Sequence, residues 1–338
     1  MGKQLKHICF LLVLFIAASC GNTEDPTQKG SGGSRFFKDV KPESNGGMLE
    51  VLVVAEDEVW DSPVGNAVKE ILIPPQYGLP QPEAKYVMSR IRPESFNDLL
   101  KRSRNIVVLN AKADGASFSQ EKNRWAKPQH VYHFAGANTL DLAKIIKKEG
   151  AAFEKDLRKH EIARLQGAGK KETYKNPESL ASLGYKINIP KAYDAEVQDE
   201  NFLMYWKQTR QSDQGIFIHV RPMPAQDGPV GADIIPLRDS ITKIYYPGSH
   251  EGSYMKTETL IAPQMKSTEV DNMYAMESRG LWRTEGDLLG GPFLSYTIYD
   301  DKNNRIITLD AFVLAPELNK RNLLLEQEAI LKSFRRTN

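Results

Sequence analysis

The amino-acid sequence predicts an α+β protein in two mixed α/β parts, the second of them an antiparallel sheet with helices packed on it. Three observations predict this. Near-continuous β-branched runs, Val51-Leu52-Val53-Val54 and Ile106-Val107-Val108-Leu109, suit strands buried on both faces, and segments of helical period lie between them. From Gly184 onward, alternating strand-like runs dominate and finish in one helix-period stretch. Between the two regions, Gly167-Ala168-Gly169-Lys170 and a polar run to Ser179 lack any periodicity, which places a linker at 168–179.

The chain opens with Lys3 and Lys6, an apolar run from Ile8 to Ala18, and the exit Ala17-Ala18-Ser19-Cys20. A basic start, a short apolar run and small residues form a secretory leader over 1–19. A membrane span needs about 20 apolar residues, more than this run supplies. The exit resembles a bacterial lipobox, with Ala17 where leucine is usual; that resemblance implies cleavage before Cys20 and lipid on its thiol. The alternative is an ordinary secreted protein with an incidental cysteine. Residues 20–47 are rich in glycine, serine and charge and read as a flexible tether, spanning roughly 30 Å. Glu24 and Asp25 resemble an acidic signal for export to the cell surface.

Residues 48–167 form the first domain. Leu49 to Ala55 is its opening strand. Pro63 starts a helix with Ala67, Val68 and Ile71 on one face, and Pro74-Pro75 stops it. Tyr86-Val87-Met88 reads as a strand and Pro93 to Leu100 as a helix. Asn105 to Asn110 is a second buried strand, a loop runs through Trp125 and Pro128, and Val131 to Ala135 is another strand. Asn138, with Asp141 three residues on, caps a long helix whose apolar face carries Leu142, Ile146, Phe153 and Leu157.

Residues 180–338 form the second domain. Gly184 to Pro190 alternates and ends at proline, as a half-buried strand does. Further strands are expected at 202–207, 216–220, 253–259, 273–282, 293–299 and 305–314, with a helix over 234–245. Pro316 opens the last helix, whose buried face carries Leu323, Leu324, Ile330, Leu331 and Phe334.

Several stretches carry a family resemblance. They are Glu50 to Val54, Gly78 to Pro82, Arg104 to Ile106, Tyr246 to Met255, Glu277 to Arg283 and Gly286 to Phe293. On these the whole mature chain resembles a lipoprotein family, domain of unknown function 4837 (DUF4837). The resemblance implies an envelope location and carries no catalytic residues. Residues 180–338 are also similar in layout to PsbP-like domains, which implies a binding or assembly role; fold by itself assigns no function.

Composition excludes several classes. Lys and Arg number 45 against 43 Asp and Glu, and loss of Lys3 and Lys6 with the leader makes them equal, so no electrostatic footprint for nucleic acid exists. Of the two cysteines, Cys9 leaves with the leader and Cys20 is acylated. Disulfides, thiolate metal sites and cysteine nucleophiles are thereby excluded from the folded part. No Gly-x-Ser-x-Gly elbow and no His-Glu-x-x-His occurs. Gly-Ala-Gly-Lys follows a helix and lacks the Ser or Thr of a phosphate loop. His130 and His133 point to opposite faces of a strand, so neither metal nor cofactor is expected.

The most suggestive cluster is Glu277, Arg279, Trp282 and Arg283, where an aromatic residue beside arginines suits a recognition surface. A structural ion pair of Glu277 with Arg279 is the alternative. His219 and Arg221 share a strand face and suit an anion or a buried hydrogen-bond network. Glu56, Asp57 and Glu58 lie at a strand end, where catalytic groups often sit and solvated loops also do. The expectation is a lipid-anchored protein of the cell envelope, at the outer membrane. It acts as a binding or assembly module for an envelope protein or glycan and has no enzymatic role. The alternative is an envelope hydrolase using carboxylates near Glu56–Glu58 or Glu277.

Overall fold

The computed structural model describes residues 41–169, 172–224 and 233–337. The leader, Cys20 and the expected tether as far as Val40 lie outside the described residues. Residues 41–47, expected within the tether, are instead tied to the body. The Asn45 amide donates to Arg102 O at 2.9 Å and the Arg104 amide donates to Asn45 O at 2.9 Å. The Lys41 ammonium donates to Arg124 O at 3.0 Å.

The first half runs β1 (Glu50–Val54), α1 (Asp57–Trp60), α2 (Pro63–Leu72), β2 (Val87–Ile91), β3 (Asn105–Asn110), β4 (Ser117–Lys122), β5 (His130–Ala135) and α3 (Thr139–Gly169). Its sheet has the order β2-β1-β3-β5-β4. The ladders are parallel except β4–β5. Both long helices start where the sequence places them. Ser62 Oγ accepts from the Val64 amide ahead of α2, and Asn138 Oδ1 accepts from the Asp141 amide ahead of α3. They cover one face, packing Val64, Val68, Leu142, Ile146, Phe153 and Leu157 on Val51, Val53, Val107, Tyr132 and Phe134.

Two elements differ from expectation. No helix forms over 93–100, only single 3₁₀ turns at Pro93–Ser95 and Leu100–Arg102. Asn97 Oδ1 accepts from the amides of both Leu99 and Leu100 at 3.1 Å, a local bond that competes with helix continuation. Conversely, β4 lies where a loop is expected. Its sequence is polar because it is an edge strand, anchored by Phe118 stacked at 4.5 Å on Phe134.

The second half runs α4 (Glu178–Ser182), β6 (Tyr185–Lys186), β7 (Asp194–Gln198), β8 (Phe202–Gln208), β9 (Asp213–Pro222), α5 (Ile234–Tyr245), β10 (Tyr254–Thr257), β11 (Gln264–Val270), β12 (Met273–Glu285), β13 (Gly290–Asp300), β14 (Arg305–Leu314), α6 (Arg321–Leu331) and β15 (Arg335–Arg336). An antiparallel sheet has the order β10-β12-β13-β14-β9-β8-β7, with β11 also paired to β12. One face buries Ile216, Leu294, Tyr296 and Leu309 under Leu324, Leu331 and Phe334 from the C-terminal region. The other buries Phe217, Trp282, Phe293 and Phe312 under Ile241 and Tyr246. The strand expected over 184–190 shortens to β6, which pairs with β15 apart from the main sheet.

The last helix begins at Arg321, not after Pro316. The Glu83 carboxylate supplies the reason: its two oxygens accept from the Lys320 and Arg321 amides at 2.7 and 3.1 Å. A carboxylate from the first half thus caps α6 and complements its dipole. α6 then serves both cores. Leu324, Ile330 and Leu331 enter the core of the second sheet, while Leu325 and Ala329 enter that of the first. The expected linker, 168–179, contains the last two residues of α3, then from Glu172 a segment bonded into the second half, and the start of α4. There the Tyr174 amide donates to Ile189 O at 2.9 Å and the Lys191 amide to Glu172 O at 2.8 Å.

Candidate functional site at the junction of the halves

β12 carries the sequence-predicted cluster. Strand alternation puts Glu277 and Arg279 on the face that meets α6, and Trp282 on the other. Arg279 is 7% exposed and donates through Nη2 to Glu328 Oε2 at 2.9 Å, while its Nε–H bonds Glu277 Oε1. Glu328, from α6, also receives Arg158 of α3. The Tyr296 hydroxyl donates to Glu277 Oε2 at 3.0 Å. Lys332 Nζ stands 3.6 Å from Glu328 Oε1. Burial by itself would raise the Glu328 carboxyl; Arg158 and Arg279 reverse this and hold it well below the ordinary range. Glu277 is likewise depressed, Arg279 outweighing its burial. This ionic cluster clamps α3, β12, β13 and α6 together, so Glu277 and Arg279 form the structural pair and no open recognition surface.

Trp282 is a correction. It is 3% exposed, its Nε1–H donates to Val313 O at 3.3 Å, and it meets Phe312 edge-on at 5.7 Å. β12 is covered on both sides, so its aromatic residue belongs to the core. Arg283 is partly exposed and lies between Glu285 at 3.1 Å and Glu258 at 3.5 Å. Arg221 pairs with Asp233 just ahead of α5, which neutralises the cation expected to receive an anion. His219 shares that face; burial and the Arg221 charge lower its pKa. At the end of β1, Asp57 is bound by Arg90 at 2.5 Å and Arg92 at 3.1 Å, while Glu56 and Glu58 are exposed. The structure does not bring these groups together with the β12 cluster into one site.

A cavity of about 240 Å³ lies where the end of α3, the 188–193 segment, β8 and α6 meet. Leu165, Pro190, Ala192, Ala329 and Ile330 give it apolar walls; Gln166, Tyr193, Lys207, Glu326 and Ser333 give it polar points. The Tyr193 hydroxyl donates to Gln214 Oε1 at 3.2 Å, and burial raises its pKa. Lys207 Nζ sits 5.7 Å from the Tyr193 ring centroid. Among the described residues, neither Lys207 nor Glu326 has an ion-pair partner, so one charge of each sign remains available at an apolar cavity. No sequence signal marks this place, because its lining comes from five separated segments.

Two further groupings were not legible in the sequence. Ser249 donates to Asp287 Oδ2 at 2.5 Å and lies 3.1 Å from His250 Nδ1. This draws together two of the family-resembling stretches. The Ser249 hydroxyl and amide hold the Asp287 carboxyl down to about 2. Serine here donates to the carboxylate and not to a histidine base, so the order of a nucleophilic triad is absent. The other grouping is His130 with Asp156 and His160. His133 points to the opposite face of β5, toward Glu121 at 3.0 Å.

Comparison with known proteins follows this division of the chain. Residues 172–333 match the family described as domain of unknown function DUF4837, and residues 44–170 match a second, described as domain of unknown function DUF8532. The resemblance expected over the whole mature chain is thereby corrected: the stretches at Glu50, Gly78 and Arg104 fall in the second family. No curated protein matches the chain. Among solved structures, it is similar to the Ran-binding protein Mog1p of Saccharomyces cerevisiae. That similarity has 10% identity and a TM-score of 0.31, over 46% of this chain and 91% of that one. A mutant of the protein Mog1 is similar at 8% identity and a TM-score of 0.30, over 46% and 92%. Likenesses at this level carry no functional statement. Residues 172–333 are thus the part of this chain that matches the DUF4837 family.

Proposed function

We propose that this chain is a lipid-anchored cell-envelope protein, held by lipid on Cys20 at the outer membrane, and that it works as a binding or assembly module. The leader pattern ending at Cys20 supports the location. One acyl chain anchors only marginally, so two or more are needed at that cysteine. The observation that carries the binding role is the junction cavity, with apolar walls and one uncompensated charge of each sign, Lys207 and Glu326. Such a site suits a ligand or partner side chain with an apolar body and a polar end. Of the carboxylates named for a hydrolase, Glu277 acts as counter-ion to Arg279 and Asp57 to Arg90 and Arg92, while Glu56 and Glu58 are exposed. That favours binding over hydrolysis.

Two experiments test the proposal. Cys20→Ala should release the protein from membranes; retention after a high-salt wash would overturn the anchoring. Ala192→Trp, at an exposed cavity position, and Lys207→Glu should each reduce capture of envelope components by the lipidated protein while leaving its melting temperature unchanged. Undiminished capture by both variants would remove the cavity from the proposal.

A further inference from the structure

We propose that His130, Asp156 and His160 form a binding site for a divalent transition metal of the zinc class. His130 opens β5, and its side chain shares with Tyr132 the face that meets α3. Asp156 and His160 are four residues apart on α3 and so lie on one helical face. Packing of α3 on the sheet brings one ring nitrogen from each histidine and a carboxylate oxygen within 4.8 Å of one another. The two imidazoles stack with centroids 3.4 Å apart and planes at 19°. His160 Nε2 lies 3.1 Å from Asp156 Oδ2, and that oxygen accepts from the Tyr132 hydroxyl at 3.0 Å.

Three features point to a metal. His130 Nδ1 is buried without a hydrogen-bond partner, an arrangement that costs free energy unless something accepts its lone pair. Two imidazole nitrogens and one carboxylate oxygen are the donor set of borderline cations, whereas calcium and magnesium favour oxygen alone. Three protein ligands also leave a tetrahedral ion one position for water. The Tyr132 hydroxyl on Asp156 supplies the outer hydrogen bond that orients a ligating carboxylate. Zinc–nitrogen bonds of about 2.0–2.1 Å place tetrahedral ligand atoms roughly 3.3 Å apart. Closure from 4.8 Å therefore takes a modest side-chain rotation that opens the ring stack. Lys122, opposite His130 in the β4–β5 register, opposes the cation; it is exposed, so water and salt screen it.

The site lies wholly within residues 44–170, apart from the binding cavity, and would staple β5 to α3. The test is calorimetric titration of the full chain with zinc chloride, with Cys9 and Cys20 changed to serine so that no thiol competes. One zinc per chain is expected, together with a rise in melting temperature. His160→Gln and Asp156→Asn should each weaken binding at least tenfold and abolish the thermal rise, while His133→Gln and His250→Gln leave both unchanged. Cobalt titration should give visible absorption bands of tetrahedral intensity in the parent protein and none in His160→Gln. Far-ultraviolet circular dichroism of each variant establishes that it is folded. If the parent protein takes up no stoichiometric zinc, or if folded His160→Gln and Asp156→Asn bind as the parent does, the site does not exist.

Discussion

Glu328→Gln removes one negative charge from a cluster in which that carboxylate faces Arg158, Arg279 and Lys332. The residue is 1% exposed, and glutamine keeps its shape. The substitution therefore isolates charge from packing. Buried Arg279 would keep Glu277 as its counter-ion, while the partly buried Arg158 would lose the carboxylate it pairs with. Breaking a buried pair by neutralising one partner costs about 3–5 kcal/mol, mostly through the stranded charge. Whole-domain stabilities are about 5–15 kcal/mol, so the loss is a large fraction. At about 2–4 °C per kcal/mol, the melting temperature should fall by about 6–20 °C. Urea unfolding and scanning calorimetry measure both quantities. A cycle with Arg279→Met should show coupling above about 1 kcal/mol, since the two side chains touch. A loss below about 1 kcal/mol, or strict additivity in the cycle, would refute the clamp.

Three further outcomes are expected. Burial pushes the Asp310 carboxyl up to about 6 against the pull of Arg238, above its ordinary 3.8. The folded state thus holds the proton more tightly, and this contribution is full below the ordinary value and lost as pH rises through about 6. Asp310→Asn should remove that downward component of unfolding free energy between about pH 4 and 7, and matching pH slopes would contradict the assignment. Trp282→Ala should cost about 3–5 kcal/mol in urea unfolding, as a core aromatic does; a near-neutral result would return Trp282 to the surface. Glu83→Ala should cost about 0.5–2 kcal/mol and speed amide exchange in the first turn of α6, whereas unchanged exchange would deny the cap.

Much of the fold was legible locally. The β-branched runs at 51–54 and 106–109 became β1 and β3, Asn138 capped α3, and the helix expected over 234–245 is α5. These features rest on periodicity and neighbours within one turn, which a sequence displays directly. The strand expected over 305–314 also appears with its bounds unchanged, as β14. The helix at 93–100 failed because the Asn97 side chain accepted from the Leu99 and Leu100 amides, a local competitor that the apolar pattern does not weigh.

The sequence by itself determined the alternation of buried faces and the inventory of thiols. Only the tertiary structure decided where α6 starts, since its cap, Glu83, is 237 residues from the amide it accepts from. The same holds for Trp282, whose local setting among charges suggests a surface until sheets and helices cover both faces of β12. Glu277 and Arg279 became core ions because α3 and α6 deliver Arg158 and Glu328 to them. The cavity and the His130–Asp156–His160 grouping likewise exist only once α3 is docked. Local physics sets which face of an element is apolar; which charge or ring meets it depends on contacts across the chain, and those are settled by packing.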